Sequence, residues 1–364
     1  MKKIISFVAL FLAGAIYAQD AQQGDQAKQE KTTQQKVEKK SEAKFKGRIY
    51  AHYEGQLEKV SSGSKVSKGK LTNEFEISRV YLRFTHKLNE HTKIHATTDV
   101  GREDLDNDGK KDKLGVYLKY AYARYGAISK DQQKGSFAWY VQGGIFATPW
   151  IETSDSFRKY RFVVKTSTDD YKLDSSADLG VGTKLFFADR LLTLETSLTN
   201  GEGYKKPETN NYKKVRGMLG IHPSLGLKKS SLFFFGAYNQ TEVKTYDTVA
   251  GPAAQLAFGP VRLQVSFFLT QQNSNGTKTE GNVAAVFLAW SLQDLIGSPF
   301  ELFTSYSRYD ESKASGDETQ KIIGGLTYRP VQKVALSLNY QQKENTAAKK
   351  DSEKAIFFNT EFNF

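Results

Sequence analysis

The sequence predicts an all-β chain closed into a transmembrane antiparallel barrel of about 16 strands, running up and down between short periplasmic turns and long outer loops. Outside the amino terminus, no stretch approaches the roughly 18 apolar residues that a membrane helix needs. From Phe45 onward, segments of about ten residues alternate apolar and polar side chains, which is typical of membrane barrels. The chain ends in AIFFNTEFNF, where every second residue from the end is mostly large and apolar. This period of two indicates a strand with one apolar face.

The amino terminus predicts a secretory signal peptide over residues 1–18. Lys2 and Lys3 precede the apolar stretch Ile4–Tyr17, and Ala18 precedes the expected cleavage point. The apolar stretch is too short to serve comfortably as a membrane anchor. The chain has no cysteine, which excludes disulfides and thiolate metal sites.

Residues 19–44 form a polar segment in which Val37 is the only large aliphatic residue. Such a composition cannot bury a core, so we expect a periplasmic arm that is disordered or loosely helical. A short trimerising helix is the alternative. The barrel is predicted over residues 45–364.

Sixteen segments with strand character follow the arm. In one, Leu192, Leu194 and Leu198 alternate with Thr193 and Glu195. The predicted strands are Lys46–Leu57, Phe75–His86, Thr92–Val100, Leu114–Tyr125, Phe137–Phe146, Ala177–Phe187, Leu192–Thr199, Lys213–His222, Leu232–Thr241, Ala253–Phe258, Val261–Gln271, Asn282–Ser291, Glu301–Tyr309, Lys321–Arg329, Lys333–Gln342 and Glu353–Phe364.

The connections alternate in size, as an up-and-down barrel requires. LNEHT, ADRL, FGP and RPVQK are tight, whereas KVSSGSKVSKGKLTN, GREDLDNDGKKDK and ESKASGDETQ are longer and polar. A soluble β-sandwich or propeller also shows alternating strands. We favour the barrel because the apolar faces are rich in the 24 Phe and 19 Tyr, while the opposite faces carry charged side chains that a packed core would reject.

Several segments resemble sixteen-stranded porins of Gram-negative outer membranes, and more closely the phosphate-selective porin O and P family. They are FEISRVYLRFTHKLNEHTKIHATTDVG, YLKYAYARYG, VQGGIFATPW, SLTNGEGY, VRGMLGIHP and LTYRPVQKVALSLNYQQ. The resemblance implies a cell outer-membrane location, contact with lipid and lipopolysaccharide, a homotrimer, passive diffusion of solutes, and a third outer loop folded into the lumen as a constriction.

The charge balance predicts an anion-preferring lumen. The formal net charge is +12, and a basic lumen concentrates anions and steers them inward. The alternation sends one set of cations inward: Arg79, Arg83, Lys119, Lys184, Lys214, Arg216 and Arg262.

The longest connection, 149–174, contains FRKYRFVVK, with Arg158, Lys159, Arg161 and Lys165. Rings of Arg and Lys commonly build anion and phosphate pores, so we expect this segment to form the constriction. The alternative is that these cations are solvated or bind lipopolysaccharide. The expected function is passive diffusion of small hydrophilic solutes, preferentially anions such as phosphate or other oxyanions.

The motif DLDNDGKKD suggests a calcium site in an outer loop. Asp104, Asp106, Asp108 and Asp112 stand at positions 1, 3, 5 and 9 of an EF-hand-like loop. Position 12 is Gly115 and the flanking helices are missing, so a plain Asp/Asn/Gly turn is the competing interpretation. We expect no required cofactor and no nucleic-acid partner.

Two other functions stay open. An outer-membrane hydrolase would need a Ser or Asp nucleophile paired with His, but no G-x-S-x-G, P-loop or zinc signature occurs, so we expect no enzymatic activity. An adhesin or structural barrel with a plugged lumen would use the long outer loops as its working part. Conductance separates a plugged barrel from a porin.

Overall fold

The computed structural model describes residues 43–61, 64–65, 71–103, 113–223, 230–346 and 351–364. These residues belong to one compact unit. The predicted signal peptide, the polar arm up to residue 42 and the Asp104–Asp112 motif lie outside them. Within the described ranges, no helix combines the length and apolar character needed to cross a membrane.

Sixteen antiparallel strands form a closed barrel, which confirms the predicted fold class. Each strand pairs with its sequence neighbours, and the last pairs with the first, with Arg48 opposite Asn363. A two-residue strand, Ser64–Lys65, pairs back onto the end of the first. The barrel strands are β1 Ala43–Ser61, β2 Asn73–Lys87, β3 Thr92–Glu103, β4 Lys113–Gly126, β5 Phe137–Ala147, β6 Ala177–Phe187, β7 Leu192–Thr199, β8 Lys214–Ile221, β9 Ser231–Glu242, β10 Thr245–Phe258, β11 Val261–Ser274, β12 Thr277–Ser291, β13 Phe300–Ser312, β14 Asp317–Val331, β15 Val334–Asn345 and β16 Ser352–Asn363.

Several strands extend further than the hydrophobic pattern indicates. The predicted Ala253–Phe258 is only the second half of β10, and most of ESKASGDETQ is strand rather than loop. Backbone pairing continues in these hairpins to tight turns such as Asn275–Gly276. We attribute the difference to composition, because these hairpin segments are mostly polar or small and carry no sustained apolar alternation to detect.

We call the edge of the barrel where β1 begins and β16 ends the terminal rim, and the opposite edge the loop rim. The closing strand β16 turns Ile356, Phe358 and Phe362 outward and buries Asn359 and Glu361 on the lumen side. The apolar face predicted for the carboxyl terminus is therefore on the outside of the barrel. Exposed Leu, Val, Phe and Tyr side chains continue around the other strands, which is the apolar band of a membrane barrel.

The last residue closes the seam between β16 and β1. Gly47 donates its N–H to the Phe364 carbonyl at 2.8 Å, and Phe364 donates back to the Gly47 carbonyl at 3.0 Å. The Phe364 ring occupies the space where a side chain at residue 47 would begin. Glycine is therefore required here for the ring to lie against the backbone.

Residues 148–176, which we call the internal loop, connect β5 to β6 from inside the barrel. The loop contains α1 Pro149–Arg158, with proline at its first position, and α2 Ser167–Asp170. Trp150 is fully buried and meets the rings of Phe233 and Phe268 edge-on. Tyr160 packs on Phe287 and Phe303 along the wall with tilted rings, at centroid distances of 5.2 Å and 4.6 Å.

The internal loop covers one side of the lumen wall. We call this inner face of β8–β15 the covered wall, and its buried apolar residues are Met218, Phe233, Phe235, Ala237, Val249, Ala253, Phe268, Val283, Phe287, Ala289, Phe303, Ile323 and Ala335. Burial of these side chains against the loop supplies the hydrophobic free energy that holds it inside the barrel.

Candidate functional site

A cavity of about 830 Å³ lies near the terminal rim, between the inner face of β1–β5 and the internal loop. We call it the basic vestibule. Ten Lys and Arg line it, against three acids. The cations are Lys44, Lys46, Arg48, Arg83, Lys93, Lys119, Arg124, Lys159, Arg161 and Arg329, and the acids are Glu152, Asp155 and Glu361.

Two pairs of like charges stand directly opposite each other in the vestibule wall. Lys46 on β1 is opposite Arg83 on β2, and Lys93 on β3 is opposite Arg124 on β4. Like charges in this position destabilise a sheet. Within the described part of the chain, no carboxylate lies within ion-pair distance of these four residues. Arg124 instead bonds Gln142 at 2.6 Å and lies 4.0 Å from the centroid of the Tyr140 ring.

The three vestibule acids differ in whether they are paired with an arginine. Glu361 pairs with Arg48 at 3.3 Å, and Asp155 pairs with Arg158 at 2.6 Å. Glu152, in the first turn of α1, is exposed to the cavity although it lies within the barrel. Enclosure by the barrel, with a smaller effect from the neighbouring Glu195, raises the pKa of the Glu152 carboxyl.

Lys214 and Arg216, two of the predicted pore cations, anchor the end of the internal loop. Asp174 lies 2.7 Å from Arg216 and 2.9 Å from Lys214, and Asp178 lies 3.1 Å from Arg216. Burial alone would raise the pKa of Asp174, but the charges of Arg216 and Lys214 outweigh it and lower the pKa to about 2. Both cations are buried and are engaged in these ion pairs.

Arg262, also a predicted pore cation, binds the carboxyl end of α1. It donates to the Arg158 carbonyl at 2.7 Å and the Phe157 carbonyl at 3.2 Å, and Arg329 donates to the Lys159 carbonyl at 3.2 Å. Cations are favourable at a helix carboxyl end because the last carbonyls lack helical partners. Glu301 accepts from both arginines.

The four cations predicted for the constriction take different positions. Arg158 is buried and bonds Asp155 and Thr166 within the loop. Arg161 lies between Asp155 at 3.2 Å and Asp169 at 2.5 Å, with part of its surface on the vestibule. Lys159 faces the vestibule, and Lys165 lines a separate small pocket near Asp170.

The remaining predicted cations lie at mid-height or along the wall. Arg79 pairs with the fully buried Asp99 at 2.8 Å, and Lys119 lies 4.0 Å from the same carboxylate. Lys184 pairs with Glu195 at 2.8 Å. The structure thus brings Arg83, Lys119, Lys159 and Arg161 together at the vestibule. It places Lys165 at a separate pocket and the other predicted cations in anchoring or wall ion pairs.

Sequence reasoning missed the vestibule residues Lys44, Lys46, Arg48, Lys93, Arg124 and Arg329. One signal was present: KFKGR places three cations on one face and Phe45, which is outward, on the other. The like-charge pairs could not be found without strand register. Among the described residues, no group of three or more Asp, Glu and His is arranged to hold a metal.

No family model and no curated protein matches the chain, but solved structures do. An anion-selective porin from Comamonas acidovorans is 15% identical with a TM-score of 0.60, covering 89% of this chain and 100% of that one. OprB of Pseudomonas putida is 9% identical with a TM-score of 0.62, covering 88% and 94%. A trimer form of in-vitro folded OmpT from Vibrio cholerae is 10% identical with a TM-score of 0.58, covering 89% and 99%.

The chain has the sixteen-stranded barrel fold of outer-membrane proteins. At these identities the likeness extends to the fold alone. The resemblance to phosphate-selective porins stays a prediction.

Proposed function

We propose that the protein is a porin in the outer membrane of a Gram-negative bacterium, through which small hydrophilic solutes diffuse passively with a preference for anions. The observation that carries the proposal is the placement of like charges at directly opposed strand positions in the vestibule, Lys46 with Arg83 and Lys93 with Arg124. In the part of the chain that the structure describes, these four cations have no carboxylate partner, whereas the cations that hold the internal loop are matched by acids.

The physical argument is electrostatic. Each directly opposed like-charge pair opposes strand pairing by a free energy on the order of 0.2–1 kcal/mol. A low-dielectric wall focuses the field of such charges into the enclosed water, which raises the local concentration of anions. Lys and Arg arranged around a lumen are a common basis of anion and phosphate selectivity.

The comparisons support the same proposal. One similar structure is an anion-selective porin, and another is a trimer form. We propose a homotrimer whose apolar band contacts lipid, with lipopolysaccharide at the loop rim, the periplasm at the terminal rim, and no enzymatic activity. Phosphate or another oxyanion is the proposed preferred solute. Chemical cross-linking of the detergent-purified protein tests the trimer, and esterase and protease assays test the hydrolase alternative.

Selectivity is tested by reversal potentials across a planar bilayer under a KCl gradient. We expect anion preference in the wild-type channel and a shift towards cations in the double variant Lys46→Glu with Arg83→Glu. The matched control is Lys278→Glu with Lys313→Glu, which changes the net charge equally on exposed loop-rim hairpins. Cation preference in the wild type, or an equal shift in the control, contradicts the anion proposal.

The same recordings separate a porin from a plugged barrel. A porin gives steady conductance steps, and replacing chloride with phosphate then tests the proposed oxyanion preference. A correctly folded protein that inserts and gives no steps in any salt would be a plugged barrel and would contradict the porin proposal.

A further inference from the structure

The β7–β8 connection, residues 200–213, is a second loop that folds inward. Its start is fixed by the Gly201 N–H, which donates to the Asp178 carboxylate at 3.1 Å. Gly203 follows with a φ of 79°, and a side chain there would begin 2.7 Å from the Ser175 hydroxyl of the internal loop. Glycine allows both the conformation and the close approach, so the two inward loops lie against each other.

The next two residues contact β4 in the lumen wall through cations and rings. Lys119 on β4 places its ammonium 5.2 Å from the Tyr204 ring centroid, and the Tyr204 ring lies 5.9 Å from that of Tyr117. Lys205 places its own ammonium 4.1 Å from the Tyr117 ring centroid. These are the distances of attractive cation–π contacts.

Lys119 is held between three rings. Its ammonium is also 5.1 Å from the Tyr81 ring centroid and 5.8 Å from that of Tyr120, and it donates to the Tyr81 hydroxyl at 3.3 Å. The side chain is only 4% exposed. The contact with Tyr204 therefore joins the loop to a fixed point on the wall rather than to a freely moving side chain.

These contacts lie at the inner end of the basic vestibule. Tyr81, Thr97, Lys119 and Tyr120 line that cavity, and Thr97 and the adjacent Asp99 are almost completely buried. Through its contact with Lys119, the Tyr204 ring joins the loop-rim connection to the inner end of the vestibule.

We propose that Tyr204 and Lys205 form a lid that sets the size of solute able to pass between the vestibule and the loop rim. Contacts between Lys119 and Tyr204, and between Lys205 and Tyr117, hold the lid against the wall. The inference rests on the proposed diffusion function. The lid selects solutes by their size, whereas the vestibule charges select them by the sign of their charge.

The lid is tested with Tyr204→Ala combined with Lys205→Ala. Single-channel conductance in KCl is measured with polyethylene glycols of graded size as neutral pore-filling probes. We expect a higher conductance and entry of larger polymers, with anion preference retained. The control is Tyr212→Ala with Lys206→Ala, which removes the same residue types from the same loop and leaves the ring contacts intact. A second variant, Lys119→Met, keeps an apolar stem between the rings and removes the charge, and we expect the same direction of change.

The outcomes separate the lid from the porin proposal. Conductance and polymer cut-off equal to wild type in both the lid variant and Lys119→Met overturn the lid and leave the porin proposal standing. Folded wild-type and variant barrels that all fail to conduct overturn the porin proposal, and the lid with it.

Discussion

The two sides of the lumen wall are built from the same alternating strands and have opposite character. On β1–β5 the inward positions carry cations such as Lys46 and Arg83, which face the basic vestibule. On β8–β15 they carry rings such as Phe233 and Phe235, which the internal loop buries. A sixteen-stranded barrel encloses more space than its own side chains fill. Its inward face can therefore border a water-filled opening on one side and pack against a loop on the other.

The two sides also treat charge differently. Cations that meet the internal loop are matched: Arg216 by Asp174, Arg262 by Glu301, and Lys321 by Asp170 at 3.0 Å. Four vestibule cations, Lys46, Arg83, Lys93 and Arg124, have no acidic partner among the described residues. The difference indicates that the loop fixes the shape of the passage while the uncovered side determines its electrostatic character.

The largest expected effect comes from removing the Trp150 ring, which packs between the internal loop and the covered wall. Trp150→Ala should lower the free energy of unfolding by about 3–5 kcal/mol, as truncation of a fully buried large aromatic does. Urea unfolding of the protein in lipid vesicles measures it. Trp290→Ala, on the outer surface, is the control and should have a clearly smaller effect; equal losses would contradict a packed loop.

The second largest effect is expected at the ion pairs between Asp174, Lys214 and Arg216, which anchor the end of the internal loop. Asp174→Asn should destabilise the protein by about 3 kcal/mol, because it leaves buried cations without their main partner. Adding Arg216→Met should recover part of the loss in the same unfolding measurement, since the uncompensated guanidinium is then gone. Asp294→Asn, at an exposed position, should be neutral. No loss in Asp174→Asn would show that the anchor does not hold the loop.

Acid should weaken the same anchor. The pKa of Asp174 is about 2 in the folded protein, below its ordinary value of 3.8, so its contribution is present above pH 4 and is lost as the pH falls through 2. The amount is roughly 2 kcal/mol. The stability difference between wild type and Asp174→Asn should therefore shrink between pH 4 and pH 2. A difference that stays constant over this range would argue against the depressed pKa.

The smallest effect concerns the one vestibule carboxylate that projects from the first turn of α1. Glu152→Gln should raise anion preference modestly, because a negative charge is removed from the basic vestibule. The pKa of Glu152 is raised. Acidification of the wild type should therefore increase anion preference already at a pH above the ordinary pKa of a glutamate. Reversal potentials check both expectations. Glu208→Gln, on the exterior of residues 200–213, serves as control and should change neither.

The sequence was sufficient for the fold because alternation and turn chemistry are local. It placed Ile356, Phe358 and Phe362 on one face of the closing strand, and the structure turns that face outward. It failed at the first half of β10, where Val249 is the one large aliphatic residue and no sustained alternation marks the strand. The predicted inward cations could not be sorted into free and paired, because Asp174 and Glu301 approach them from distant parts of the chain.

The central claim is that water and anions reach the wall of β1–β5 while the internal loop seals the wall of β8–β15. The natural chain has no cysteine, so single substitutions can be labelled without background. We would compare Thr85→Cys, in the vestibule, with Ala253→Cys, beneath the loop, using a negatively charged methanethiosulfonate reagent on the folded protein in vesicles. The account predicts fast modification at residue 85 and slow modification at residue 253. Equal rates at the two positions, or faster reaction at residue 253, would contradict it.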